Sequence, residues 1–143
     1  MDINGYSYEG SIELVRSNNA WLAVNELSLE NYVASVVGAE MPSRWHGEAL
    51  KAQAVAARSY AVTHLIRPAS QTYHLGDTTR WQVFSGTSSL SEQSSRATDE
   101  TRGMVLSYRG GLVVPGLRKS KRLPSITLQK ESSILWLALP VHR

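Results

Sequence analysis

The stretch from Glu48 to Ile66 is rich in alanine and contains neither glycine nor proline. Alanine has the highest helix propensity of the common residues, and the first helix breaker after this stretch is Pro68. The stretch therefore predicts one long helix. Because many of its side chains are small, the helix should pack closely against a neighbouring element within a globular domain.

Period-two alternation before this helix predicts a β-hairpin. Polar and apolar residues alternate over residues 6–15 and again over 21–24, on either side of the polar pair Asn18-Asn19. Such alternation turns one face of each strand toward a core, and a short polar turn joins antiparallel strands.

A short helix is predicted between the hairpin and the alanine-rich stretch. Ser28 is a suitable N-cap for residues 29–37, and Gly38 is the expected stop. The chain then leaves the helix at Met41-Pro42, because proline disfavours a helical conformation in the residue before it.

The second half of the chain predicts shorter elements. Residues 70–75 and 82–84 resemble short strands or extended loops, 91–102 a polar helix, and 104–108 with 112–114 a second hairpin. The order ββ-α-α-β-α-ββ indicates an α+β fold: a single domain with a long alanine-rich helix and short helices packed on β-hairpins.

Charge divides the 143 residues into two parts. Residues 1–115 hold nine Arg or Lys against eleven Asp or Glu, whereas residues 116–143 hold six against one. The net charge of +3 therefore comes from the end of the chain. We predict a domain over 1–115 and a basic tail of unrecognised, aberrant sequence over 116–143.

Composition also excludes several classes of function. The basic run at 118–122 has no accompanying nucleic-acid-binding motif, so no nucleic-acid partner is expected. No stretch is long and apolar enough for a membrane span, and no signal peptide is visible at the N-terminus. The protein is then either cytoplasmic or exported by a signal outside this chain. The absence of cysteine excludes disulfides and cysteine-ligated zinc.

Glu40 is the candidate for chemistry because it interrupts the apolar run from Val36 to Pro42. Apolar neighbours that desolvated its carboxyl group would raise its pKa toward that of a general acid. The alternative from the residues alone is structural: Glu40 caps the backbone or pairs with Arg44 or Arg58.

Polar side chains with long reach recur along the predicted long helix. Lys51 and Arg58 lie on one stripe, and Gln53 and Tyr60 lie on an adjoining one. They could line a groove for a neutral polar polymer such as a glycan. The alternatives are a solvated face, with Lys51 paired to Glu48, and burial of Arg58 against a carboxylate.

These residues carry a resemblance to a known family. The segments 32–42 and 48–61, with Trp45 between them, resemble the stage II sporulation protein D family without a gap. Upstream residues 24–30 and the downstream segments 77–79, 82–86 and 101–103 also fit. The resemblance therefore covers approximately residues 6–114.

The resemblance implies a peptidoglycan lytic transglycosylase. Such an enzyme cleaves the β-1,4 bond between N-acetylmuramic acid and N-acetylglucosamine in strands stripped of stem peptides, and leaves a 1,6-anhydro product. By this resemblance Glu40 is the single acid and base, and four helix residues contact the substrate or orient Glu40: Lys51, Gln53, Arg58 and Tyr60. The implied partner is the peptidoglycan glycan strand, the implied location is the cell wall, and no cofactor is implied.

Two departures limit what the resemblance implies. The family's Ser-rich Gly-Gly-Thr motif does not follow the second hairpin. A non-catalytic wall-binding module that enhances a cell-wall amidase is therefore the alternative function. Some relatives bind zinc through cysteine, which this chain lacks; His46, His64 and His74 have no ligand spacing, so structural or surface roles and no metal site are expected.

Overall fold

The computed structural model describes residues 1–3, 5–17, 19–76, 81–113 and 134–139. Its elements are, in chain order, β1 (Asp2–Ile3), β2 (Tyr6–Ser7), β3 (Ser11–Ser17), β4 (Ala20–Ser28), α1 (Leu29–Glu40), α2 (Gly47–Ile66), β5 (Leu75–Gly76), a 3₁₀ turn (Gly86–Ser89), α3 (Glu92–Glu100), β6 (Ser107–Tyr108), β7 (Gly111–Leu112) and β8 (Ile134–Leu139). They form the single-domain α+β fold that the sequence predicts.

The main sheet has the strand order β3-β4-β8-β5. The first three strands are antiparallel, as the predicted hairpin β3-β4 requires, and β5 joins β8 in parallel. In the centre of the sheet Leu27 pairs with Leu135 and Asn25 with Leu137, and all four residues are buried. This face of the sheet carries the helices and forms the core with them.

Strand β8 lies in the range that the sequence assigns to the basic tail. Its residues alternate between exposed Ile134 and Trp136 and buried Leu135 and Leu137, so one face enters the core. This strand was not predicted from the sequence. The remaining residues after 113 lie outside the described part of the chain, and the boundary at residue 115 stays a prediction.

The long helix is confirmed, with Gly47–Ile66 observed against the predicted 48–66. Ala54, Ala57 and Ala61 are fully buried and follow one face at spacings of three and four residues. Their small side chains allow α1 and α3 to pack closely against α2. None of the described helices is both long and apolar enough to cross a membrane.

Helix α1 begins as predicted but ends later. The Ser28 side chain accepts a hydrogen bond of 3.2 Å from the Asn31 N–H, which caps the helix. Gly38 is not the stop, because the helix continues to Glu40. Instead Gly38 allows a close approach: a Cβ there would lie 1.9 Å from the carbonyl oxygen of Ser89.

The remaining elements largely match the sequence. Helix α3 has Ser91 as its N-cap, and the second hairpin is present as the short pair β6-β7. Among the described residues between α2 and α3, only Leu75–Gly76 forms a strand, whereas residues 82–84 form an irregular loop. Residues 77–79, which contribute to the resemblance, lie outside the described part of the chain.

Candidate functional site

Glu40 is the last residue of α1, and its side chain is exposed. Each of its carboxylate oxygens accepts a hydrogen bond. The Gln53 side-chain amide on α2 donates to Oε2, and the Val83 backbone N–H donates to Oε1 over 3.4 Å. A helix and a loop from distant parts of the sequence therefore orient one carboxylate.

Of the structural alternatives for Glu40, the structure shows a contact to the backbone, through the Val83 N–H, but no ion pair among the described residues. Arg58 pairs with Glu30 instead, and no ion pair to Glu40 is found within the described ranges. The desolvation that the apolar run suggested is also absent, because α1 turns its apolar side chains into the core and leaves the Glu40 side chain in solvent. Both donors to Glu40 are neutral, so the carboxylate is oriented without a fixed opposite charge.

Tyr32 contacts the loop beside Glu40 from the protein interior. Its ring is fully buried and stacks on Phe84 with centroids 5.5 Å apart, and its hydroxyl donates to the Gln82 side-chain oxygen over 3.2 Å. Burial raises the pKa of Tyr32 above its usual range, and the nearby Tyr60 and Glu40 raise it further. Tyr32 therefore remains a neutral hydrogen-bond donor to Gln82.

Tyr60, His64 and Trp81 form a row of ring side chains on α2 and the loop after it. The ring centroids of Tyr60 and His64 are 4.6 Å apart, and those of His64 and Trp81 are 5.2 Å apart. All three side chains are partly exposed. Burial raises the pKa of Tyr60 and lowers that of His64, whose hydrogen bond to the backbone opposes the shift.

Arg58 lies apart from Glu40, in the core between the three helices. Its guanidinium group donates to both oxygens of Glu30 at 3.0 and 2.7 Å, and to the carbonyl oxygens of Met104 and Thr98 at 3.1 and 3.2 Å. The side chain is fully enclosed. This is the burial against a carboxylate that the sequence offered as the alternative to substrate contact.

Lys51 also faces away from Glu40. It is two residues from Gln53, so it projects about 200° around the helix from that side chain. Lys51 pairs with Glu48 at 2.9 Å and with Glu100 at 2.7 Å. The hydrogen bond from Lys51, followed by that from Arg96, lowers the pKa of Glu100 to about 2. Lys51 also lines a separate cleft of about 240 Å³ between α2 and α3.

The structure thus brings one of the four predicted helix residues, Gln53, into contact with Glu40, and both Tyr60 and Glu40 act on the Tyr32 hydroxyl. Tyr32, His64 and Trp81 were not predicted as site residues from the sequence. The spacing of Gln53, Tyr60 and His64 at i, i+7 and i+11 marks one helix stripe and could have indicated His64. Nothing in the local sequence indicates that the loop with Trp81 folds back onto α2.

The histidines have individual contacts. His46 caps α2 by accepting from the Glu48 N–H, and His74 stacks on Trp136 with centroids 5.3 Å apart. No group of three or more His, Cys, Asp or Glu side chains able to hold a metal occurs in the described part of the chain.

Comparison with known proteins gives a consistent set of relatives. The stage II sporulation protein family model matches residues 17–108. An uncharacterised protein of Brachyspira hyodysenteriae is 38% identical over 112 residues, which make up 78% of this chain and 30% of that protein. The amidase enhancer of Bacillus subtilis is 39% identical over 85 residues, 59% of this chain and 11% of that protein.

Stage II sporulation protein D of Bacillus amyloliquefaciens is 32% identical over 113 residues, which cover 68% of this chain and 32% of that protein. The chain therefore spans about a third or less of the length of these curated relatives. No solved structure gives a significant match.

Proposed function

Because the chain belongs to the stage II sporulation protein D family, we propose that it is a peptidoglycan lytic transglycosylase with Glu40 as its acid and base. Its substrate is the β-1,4 bond between N-acetylmuramic acid and N-acetylglucosamine in strands without stem peptides. The observation that carries the proposal is the position of Glu40: an exposed carboxylate with one neutral donor, from Gln53 and Val83, on each oxygen.

The proposed reaction needs one carboxyl group. Protonated Glu40 donates its proton to the glycosidic oxygen as the bond from that oxygen to C1 of the muramic acid breaks. The resulting carboxylate takes the proton from the C6 hydroxyl of the same sugar, whose oxygen forms the new bond to C1. The sugar supplies its own nucleophile, so the second carboxylate of ordinary glycosidases is not required.

The exposed position of Glu40 suits this role. A polymeric substrate has to reach the carboxyl group from solvent, and the bound glycan would itself exclude water from the site. Gln53 and the Val83 N–H would hold the carboxylate in one orientation as it takes and releases the proton. Tyr60 would contact the strand from the same side of α2, whereas the proposed contribution of Arg58 is to fix α2 against α1. Lys51 would contact substrate only where the strand extends to the second cleft.

Cell-wall location and glycan binding follow from the same proposal. The alternative function is a non-catalytic wall-binding module that enhances a cell-wall amidase. Two observations favour this alternative: one relative is named an amidase enhancer, and the Glu40 side chain is exposed to solvent. The module would use the same exposed surface without turnover.

Mass spectrometry of glycan strands stripped of stem peptides tests the proposal. We expect anhydro-muramyl products from the parent chain and a loss of about 10²–10⁴-fold in rate for Glu40→Gln, the usual contribution of acid–base catalysis. Glu92→Gln is the matched control, because Glu92 is an exposed carboxylate on α3. If the folded parent forms no product yet retains glycan binding, the wall-binding module is the correct function.

A further inference from the structure

The row of rings beside Glu40 has the features of a preformed binding surface. His64 is held by a 3.0 Å hydrogen bond between its Nδ1 and the Tyr60 carbonyl oxygen. The Trp81 indole lies against Gly76, where an added Cβ would come within 2.6 Å of Nε1. Both rings therefore have contacts within the protein, which lower the entropy cost of ordering them around a ligand.

This surface adjoins Glu40 on two sides. Trp81 is two residues before Val83, whose N–H reaches the Glu40 carboxylate. Tyr60 and Glu40 both act electrostatically on the Tyr32 hydroxyl. The row of rings is thus linked to Glu40 through the loop 81–84, which donates to the carboxylate, and through Tyr32.

We propose that Tyr60, His64 and Trp81 form a subsite that binds the N-acetylglucosamine ring of the glycan strand next to Glu40. A pyranose ring has an apolar face of C–H groups and a rim of hydroxyls, so it packs on partly exposed aromatic rings that carry polar edges. None of the three side chains is a lysine or arginine, which suits a neutral sugar better than the lactyl carboxylate of muramic acid. The inference rests on the proposed function, because it takes the ligand to be a peptidoglycan strand.

Titration with a tetrasaccharide of β-1,4-linked N-acetylglucosamine tests the subsite without turnover. The protein contains four tryptophans, so its ¹⁵N spectrum separates four indole N–H resonances, and Trp81→Phe assigns the one from Trp81. We expect the Trp81 resonance to shift with added tetrasaccharide in the parent chain. Trp81→Ala should bind about tenfold more weakly, equivalent to about 1.4 kcal/mol.

Trp21→Ala is the matched control, because Trp21 lies on β4 with 65% of its surface exposed and should leave the affinity unchanged. If the Trp81 resonance of the parent chain does not shift, the subsite is wrong, whether or not other resonances shift. This outcome does not depend on whether Trp81→Ala folds. The product assay separates the two proposals. A shift of the Trp81 resonance without anhydro product would contradict only the transglycosylase activity. Anhydro product without a shift of that resonance would contradict only the subsite.

Discussion

The Tyr32 hydroxyl donates a hydrogen bond of 3.2 Å to the side-chain oxygen of Gln82 and so joins the buried side of α1 to the loop beside Glu40. The next residue, Val83, donates its N–H to the Glu40 carboxylate. A buried hydroxyl thus supports a contact made at the surface. Because Glu40 terminates the same helix that carries Tyr32, both ends of this connection belong to α1.

Tyr32→Phe should therefore reduce activity more than it reduces stability. The variant keeps the ring in the core and loses one hydrogen bond, which costs about 0.5–1.5 kcal/mol in unfolding free energy. We expect kcat for anhydro-product formation to fall about tenfold with KM little changed, because the freed loop no longer orients Glu40. Urea unfolding and steady-state kinetics check this, with exposed Tyr6→Phe as the control. Unchanged kcat would contradict it.

The raised pKa of Tyr32 predicts how stability depends on pH. Unfolded tyrosine has a pKa of about 10, whereas burial raises the pKa of Tyr32 above this value. Above about pH 10 the unfolded chain therefore binds fewer protons than the folded protein, and unfolding becomes more favourable as pH rises. The contribution is fully present below that pH. The free energy of unfolding in urea should therefore fall between about pH 8 and 11. Tyr32→Phe should make this fall smaller but not abolish it, because the pKa of Tyr60 is also raised.

The buried pair of Arg58 and Glu30 predicts a large effect from a change outside the site. Glu30→Ala would leave the enclosed guanidinium without its carboxylate, which costs about 3–5 kcal/mol in unfolding free energy. Asp99→Ala removes the exposed pair with Arg102 and should cause no measurable change. Equal effects of the two variants in urea unfolding would argue against this packing role.

The double variant Arg58→Met with Glu30→Leu distinguishes packing from substrate contact at Arg58. An apolar pair of similar volume should restore much of the stability lost in Glu30→Ala. If Arg58 acts only through packing, the double variant should bind N-acetylglucosamine tetrasaccharide like the parent chain. Stable protein with weakened binding would instead favour a direct role for Arg58.

Gly38→Ala should displace Glu40 through the backbone. A Cβ at this position would overlap the Ser89 carbonyl oxygen, so α1 and the 3₁₀ turn would have to separate, at a cost of about 1–3 kcal/mol. We expect reduced product formation as well, because Glu40 is two residues further along the helix. Gly47→Ala is the matched control: it has open space around it and should not destabilise the fold. Similar unfolding midpoints for both variants would refute the close-approach role of Gly38.

Much of the secondary structure could be predicted because its signals are local. The alanine-rich run, the Ser28 and Ser91 caps and the alternation in β3-β4 each act within a few residues, and each of these elements is present, although α1 continues past the predicted stop at Gly38. Strand β8 was not predicted, because its place between β4 and β5 depends on pairing across more than one hundred residues of sequence.

The sequence by itself determined the family, the helix that carries Gln53 and Tyr60, and Glu40 as the carboxylate of interest. Only the tertiary structure separated Lys51 and Arg58 from Glu40, because residues on one helix are directed to different neighbours by their angle around its axis. The tertiary structure also brought Tyr32, His64 and Trp81 to the site. Their proximity depends on how a loop packs against two helices, and that packing is decided by long-range contacts that no local pattern records.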